Sequence, residues 1–143
     1  MVILVILAGI KLSFRMNKES LQSYFEDTAS QVPRWRKRSR SYHRLLEEYY
    51  SFFIPPHARV LELGCGMGDL LAAVNPAYGV GIDFSPKIIE VAKERHPGLT
   101  FMVRDVENHG LHETFDYVIL SDLVGSLWDV QAVFEKMRAV CHE

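Results

Sequence analysis

The stretch that decides the fold runs Arg59-Val60-Leu61-Glu62-Leu63-Gly64-Cys65-Gly66-Met67-Gly68-Asp69-Leu70-Leu71. It begins as a short apolar run, stops at three alternating glycines and continues with the apolar spacing of a helix. This order predicts a strand, a tight turn and a helix. Glycine suits the turn because its φ is unrestricted and because its missing Cβ lets a ligand lie against the backbone. The helix opening should present unpaired N–H groups, which suit an electron-rich ligand group.

The glycine spacing differs from that of dinucleotide-binding domains. Their turn follows the pattern G-x-G-x-x-G, whereas Gly64, Gly66 and Gly68 alternate here and Asp69 stands at the place of the third dinucleotide glycine. Glu62 is a second departure, because a carboxylate at the end of a buried strand is costly unless it has a partner. The fit to a dinucleotide site is therefore poor.

Residues 60–68 closely resemble the first motif of the class I S-adenosylmethionine-dependent methyltransferases. In that family the glycine loop cradles the methionine and ribose part of the cofactor, and the acidic residue helps to hold the loop and the methionyl amino group. The resemblance implies that Glu62, Gly64, Cys65 and Gly66 form part of a site for S-adenosyl-L-methionine. The alternative is a glycine loop that only turns the chain.

Asp83 follows the second predicted strand, residues 78–82. A carboxylate there lies beside the first glycine loop, at the height needed to accept hydrogen bonds from both ribose hydroxyls. Residues 79–85 resemble the family's next motif, in which the acidic residue binds the ribose and the following residue, here Phe84, packs on adenine. Asp83 could instead cap the helix that begins near Pro86, but Ser85 is the better N-cap.

The third predicted strand, residues 99–103, ends at Arg104-Asp105-Val106-Glu107. This turn resembles the family's adenine-binding turn. The resemblance implies that Asp105 accepts a hydrogen bond from the exocyclic amine and that the backbone N–H of Val106 reaches a ring nitrogen. Asp105 could instead be an ordinary turn aspartate.

Residues 115–120 form the fourth predicted strand, and residues 121–129 form the loop beyond it. They resemble the family's fourth motif, a Phe-Asp pair opening a buried strand whose far end faces the transferred methyl group. Ser121 at this end is included among the expected cofactor contacts. Many relatives carry an acidic-His pair where this chain has Gly125-Ser126, so the resemblance does not support an acid-base role for the loop.

These elements predict an α/β fold, a Rossmann-like three-layer sandwich with a parallel sheet in the strand order 3-2-1-4. The class I fold has seven strands, and those beyond the fourth cannot be found in the sequence. We therefore expect a truncated form of a longer protein, or a half-domain. The uncovered edge of the fourth strand would then allow self-association.

We divide the chain into an N-terminal extension (1–15), a helical cover (16–57) and an incomplete S-adenosylmethionine-binding domain (58–143). Residues 1–10 are an unbroken apolar run that is too short to span a bilayer as a helix. They could form an extra buried strand, a weak membrane anchor, or a segment that arises from an upstream start codon. We favour the last and expect residues 1–15 to be poorly packed or disordered.

The cover is predicted to contain two helices. Residues 18–29 place Leu21, Tyr24 and Phe25 on one face, which would cover the sheet or lie over the cofactor. The basic run at residues 34–40 is either a solvated linker or a binding site for a phosphate, a carboxylate or a nucleic acid backbone. The apolar side of the second helix, residues 42–53, is formed by Leu45, Leu46, Tyr49, Tyr50 and Phe53.

Composition limits the remaining classes of function. A chain of 143 residues, 48% of them apolar, has room for one domain with a core. Its net charge of −2 gives no general case for nucleic acid or an anionic membrane. Two cysteines provide neither a disulfide framework nor a C-x-x-C metal site, so we expect a cytoplasmic protein. His109 and His112 are expected to be surface residues rather than metal ligands.

The sequence therefore predicts an S-adenosylmethionine-dependent methyltransferase with a small-molecule or lipid-like acceptor. No catalytic residue is assigned; Asp122 and His43 come nearest to a general base. One alternative is an NAD(P)-binding oxidoreductase domain. Another is a non-catalytic module that binds the cofactor or a protein partner.

Overall fold

The computed structural model describes residues 2–6 and 39–141, together with residues 19, 20, 23, 24 and 27. Those five positions are helical, as predicted for residues 18–29, and Tyr24 is 40% exposed. Leu21, Phe25 and the basic residues at 34–38 lie outside the described residues. The predictions for their roles are therefore neither confirmed nor contradicted.

Five parallel strands form one sheet in the order β1-β5-β2-β3-β4. The strands are β1 (Val2–Ile6), β2 (Arg59–Leu63), β3 (Tyr78–Asp83), β4 (Thr100–Val103) and β5 (Tyr117–Ser121). The helices are α1 (Arg40–Phe53), α2 (Asp69–Ala73), α3 (Pro86–Arg95) and α4 (Val130–Ala139), with short 3₁₀ turns at Val106–Asn108 and Val124–Ser126. The four predicted strands, β2 to β5, have the expected order 3-2-1-4, so the Rossmann-like architecture is confirmed.

The N-terminal strand β1 corrects the prediction for the start of the chain. It pairs in parallel with β5 along its whole length, from Val2 beside Tyr117 to Ile6 beside Ser121. The expectation of a poorly packed segment is therefore wrong for residues 2–6, and the extra strand, which we had not favoured, is present. An unpaired strand edge offers a row of N–H and C=O groups, and here an extended segment of the same chain pairs with them. The edge of β5 through which self-association was predicted is therefore not free, because β1 occupies it.

Apolar side chains cover both faces of the sheet. Within β2, Val60 packs on the face covered by α1, α2 and α3, whereas Leu61 and Leu63 pack on the face covered by α4. This alternation follows from the two-residue period of a strand, and burial on both faces is usual for parallel sheets. The predicted inward residues of the last helix are all buried: Val133, Met137 and Val140.

Helix α1 buries a narrower face than predicted. Leu46 and Tyr50 are buried, whereas Leu45 is 63% exposed and Tyr49 and Phe53 are also exposed. Only Leu46 and Tyr50 of the predicted apolar side are therefore packed in the core. Exposed Phe52 extends this outer apolar stripe.

We predict that Gly68→Ala destabilises the fold by roughly 2–4 kcal/mol, from left-handed strain plus overpacking. Gly68 has a φ of +76°, and an added Cβ would lie 2.4 Å from Cζ of the buried Phe101 ring. The free energy of unfolding, measured with urea, is the readout.

Gly98→Ala is the matched control, since an added Cβ there meets nothing within 4 Å and its φ lies outside the left-handed region. The control should change stability by less than about 1 kcal/mol. Equal stability of the two variants would contradict the packing assigned to Gly68.

Candidate functional site

The glycine turn after β2 is anchored on the neighbouring strand. The N–H groups of Gly64 and Cys65 both donate to the carbonyl oxygen of Ile82 in β3, at 2.8 and 3.0 Å. Gly64 and Gly66 have positive φ values of 70° and 52°, in the left-handed region that favours glycine. The turn thus has the backbone conformation that its sequence predicts.

Several amides of this turn bond within the protein. The Gly68 N–H donates to the carbonyl of Cys65 at 2.9 Å, and the Leu71 N–H donates to the buried carboxylate of Glu62 at 3.1 Å. The prediction that the helix opening presents unpaired N–H groups is therefore wrong at Leu71. This bond also gives Glu62 a partner, which its burial requires. A phosphate-binding turn would instead direct such amides at the ligand.

Of the three alternating glycines, Gly66 is the one that leaves open space above the backbone. An added Cβ at Gly66 meets nothing within 4 Å, whereas at Gly64 it meets the side chain of Leu123 at 3.0 Å. At Gly68 the space is filled by Phe101. The geometry therefore leaves room for a ligand directly against Gly66.

Asp83 lies at the carboxyl end of β3 and faces this open position. One of its carboxylate oxygens accepts the N–H of Gly66 at 3.1 Å, and the other accepts the N–H of Ser85 at 3.0 Å. The Ser85 side chain caps α3 by accepting the N–H of Ile88, as predicted. Asp83 is thus not needed as the helix cap, and it is half-buried beside the turn together with Phe84.

The turn after β4 is joined to the same edge of the sheet. The Arg104 N–H donates to the carbonyl of Asp83 at 2.9 Å. The carboxylate of Asp105 accepts the N–H of Glu107 at 2.9 Å, and the Val106 side chain is buried in the core. Asp105 therefore does act as a turn aspartate, and its role toward adenine stays a prediction.

The end of β5 lies at the same edge of the sheet, beside the glycine turn. Leu63 of β2 is in register with Leu120 of β5, which places Ser121 level with Gly64. The fold thus brings together the predicted residues Glu62, Gly64, Cys65, Gly66, Asp83, Phe84, Asp105, Val106 and Ser121. Glu62 and Cys65 are buried beneath the turn, so their side chains support it rather than line its open side.

Two negatively charged side chains, Glu62 and Asp83, act on the glycine turn. Burial raises the pKa of the Cys65 thiol, and the negative charges of Glu62 and Asp83 raise it further. The thiol therefore stays protonated and is a poor nucleophile. A positively charged ligand group suits such a site better than an anion does.

Hydrogen bonds that the sequence did not predict join the turn after β4 to the loop after β5 and to α4. The Glu107 carboxylate accepts the N–H groups of Trp128 and Asp129, at 2.5 and 2.9 Å. The ammonium of Lys136 in α4 donates to the backbone carbonyl of Glu107 and to the Asn108 side chain. No local pattern marks these contacts, because the partners are about twenty to thirty positions apart in the chain.

The prediction that His109 lies at the surface was wrong, because this residue is only 3% exposed. Its Nδ1 accepts the N–H of Leu111 at 3.1 Å, which assigns the proton to Nε2, and Nε2 is buried with no hydrogen-bond partner in the structure described. His112 is exposed, as predicted. Among residues 2–6 and 39–141, no group of three metal-binding side chains occurs.

We predict that stability falls as the pH drops through the ordinary histidine range, partly through His109. Burial lowers the pKa of His109, and the nearby charges of Lys136 and Arg104 lower it further. The unfolded chain therefore takes up a proton before the folded chain does, and the free energy of unfolding declines as the pH falls through the ordinary histidine pKa of about 6.5.

His109→Asn keeps an acceptor for Leu111 and should flatten this decline in urea unfolding followed by circular dichroism. His112→Asn removes an exposed histidine from the same loop and should keep the wild-type pH dependence. An unchanged slope in His109→Asn would show that this histidine does not contribute.

Comparison with known proteins places these features in a family. Residues 60–143 match the family described as a methyltransferase domain. The malonyl-[acyl-carrier protein] O-methyltransferase of Bacillus cereus is 30% identical over 132 residues, covering 85% of this chain and 48% of the relative. The magnesium-protoporphyrin O-methyltransferase of Rhodobacter capsulatus is 37% identical over 71 residues, covering 45% of this chain and 31% of the relative. The chain spans about half the length, or less, of the curated relatives that it matches.

Solved structures share the fold at low sequence identity. The N-methyltransferase NodS from Bradyrhizobium japonicum, in complex with S-adenosyl-L-homocysteine, has a TM-score of 0.73 at 19% identity, covering 85% of this chain and 67% of that one. The magnesium protoporphyrin IX methyltransferase from Synechocystis, with bound SAM, has a TM-score of 0.67 at 20% identity, covering 90% and 74%. In the part of the chain that the structure describes, no helix is long and apolar enough to cross a membrane.

Proposed function

We propose that this chain, because it belongs to the class I methyltransferase family, binds S-adenosylmethionine at the carboxyl edge of its sheet and transfers the methyl group to a small-molecule or lipid-like acceptor. The observation that carries the proposal is the open backbone at Gly66, bonded to the Asp83 carboxylate. The backbone of Gly66 supplies a surface against which the ligand can lie, and the Asp83 carboxylate supplies a hydrogen-bond acceptor beside it.

All of the predicted contact residues have a role in the proposal except Gly64, over which Leu123 packs. The methionine and ribose part lies against Gly66, and Asp83 accepts hydrogen bonds from the ribose hydroxyls. Phe84 packs on adenine, while Asp105 and the backbone of Val106 bind its edge. Ser121 lies at the methyl end, and Glu62 and Cys65 support the turn from below.

The negative electrostatics of the turn fit this ligand. Besides burial, the negative charges of Glu62 and Asp83 raise the pKa of the Cys65 thiol. When bound, the cofactor supplies an activated methyl group on a positively charged sulfur. The chain contributes alignment of the acceptor and exclusion of competing water, and proximity of this kind accounts for much of the rate of such transfers.

The alternative functions have less support. An NAD(P) site needs turn amides that face a pyrophosphate, whereas Gly64, Cys65, Gly68 and Leu71 direct theirs to protein oxygens. A non-catalytic binding module has no specific observation in its favour. The acceptors named for the relatives belong to those proteins; a small or lipid-like acceptor is proposed here because the net charge of −2 gives no case for nucleic acid.

Calorimetric titration of the full chain tests the proposal. S-adenosylmethionine and S-adenosylhomocysteine should bind with micromolar affinity, and NADH should bind at least about tenfold more weakly. Asp83→Asn removes a charged acceptor and should weaken both sulfur ligands by about tenfold or more.

Gly66→Ala should abolish binding at a stability cost of only about 1 kcal/mol, because its methyl group enters the open space while its left-handed φ adds strain. Gly98→Ala should bind like the wild type. A preference for NADH, or full affinity in Gly66→Ala, would overturn the proposed site.

A further inference from the structure

Asp122 lies across the glycine turn from Asp83. Strand β2 is flanked by β3 on one side and β5 on the other. Asp83 ends β3, whereas Asp122 directly follows β5. The two carboxylates therefore stand on opposite sides of Gly66 along the same edge of the sheet.

The position of Asp122 is set by contacts on both sides. Its neighbour Leu123 packs over Gly64, where it would meet an added Cβ at 3.0 Å. The hydroxyl of Tyr42 in α1 lies 2.9 and 2.8 Å from the two carboxylate oxygens of Asp122. Burial and the Asp122 contact raise the pKa of Tyr42, so this hydroxyl stays protonated and donates.

Asp122 keeps capacity for a further hydrogen bond. A carboxylate can accept about four hydrogen bonds, and among the described residues only Tyr42 donates to this one. Asp122 is exposed to solvent, and its φ of +56° is uncommon for a residue other than glycine. The carboxylate is thus accessible to solvent while its position is held by Tyr42.

We propose that Asp122 binds the reacting group of the methyl acceptor, and that this group is a hydroxyl or an amine rather than a carboxylate. The inference rests on the proposed function. A hydroxyl or amine can donate a hydrogen bond to Asp122, whereas a carboxylate would be repelled by it. Tyr42 acts as a positioning residue that holds the Asp122 carboxylate at the edge.

The transfer balances with Asp122 as proton acceptor. A lone pair on the acceptor oxygen or nitrogen forms the new bond to the methyl carbon. The carbon–sulfur bond breaks, and its electron pair stays on sulfur, which becomes a neutral thioether. The proton of the acceptor passes to the Asp122 carboxylate and then to water.

The test uses cofactor analogues, so it needs no knowledge of the acceptor. Sinefungin carries an amine-bearing carbon in place of the methylsulfonium, which puts a cationic donor at the methyl position. The full-length wild-type chain should bind sinefungin about fivefold or more tightly than S-adenosylhomocysteine, through a charge-assisted hydrogen bond to Asp122. Asp122→Asn should reduce this preference to less than about twofold while leaving the affinity for S-adenosylhomocysteine unchanged.

Carboxy-S-adenosylmethionine bears a carboxylate on the transferred carbon. For this analogue, Asp122→Asn should change the affinity in the opposite direction. Asp122→Asn should bind it about fivefold more tightly than the wild type does, because a repulsion is removed. Asparagine tolerates the left-handed conformation well, so the variant should fold, and its unchanged affinity for S-adenosylhomocysteine verifies this.

Glu113→Gln is the control for loss of one negative charge, because Glu113 precedes β5 and lies at the other end of that strand, near Arg59. It should retain the wild-type preference for sinefungin. Equal wild-type affinity for sinefungin and S-adenosylhomocysteine, or a preference that survives Asp122→Asn, would overturn the inference about Asp122 alone. Failure of S-adenosylhomocysteine to bind the wild type would instead overturn the proposed function.

Discussion

The hydrogen bond from the Leu71 amide to the buried Glu62 carboxylate is the constraint on which the site depends. It joins the end of β2 to the first turn of α2 across the glycine turn. A buried carboxylate that lost such a bond would be costly, so strand, turn and helix hold one relative orientation. Because β2 lies between β3 and β5, that orientation sets the height of the turn against both neighbouring strand ends.

The two sides of the turn carry different chemistry. On the β3 side, Asp83 bonds to the turn itself through the Gly66 amide. On the β5 side, Asp122 accepts a hydrogen bond from Tyr42 of α1 and not from the turn. In the proposed function the first side holds the cofactor and the second receives the acceptor, and the open space over Gly66 lies between them.

Much of the fold could be predicted because it depends on local patterns. The strands β2 to β5, the helix cap at Ser85 and the inward face of α4 follow from alternation, capping preference and helical period. The errors have a common physical origin. Whether residues 2–6 pair with β5, which residues of the apolar set on α1 are buried, and whether His109 is covered all depend on distant segments of the chain.

By itself, the sequence determined that this chain is an α/β protein with the glycine turn and ordered acidic residues of a class I methyltransferase, because short motifs specify backbone turns and strand ends directly. The tertiary structure alone decided that Gly66 is the open glycine, that β1 covers the edge of β5, and that Tyr42 meets Asp122 eighty positions away. Those features are contacts between segments that are remote in the chain, and the local preferences of a sequence carry no information about which remote surfaces come together.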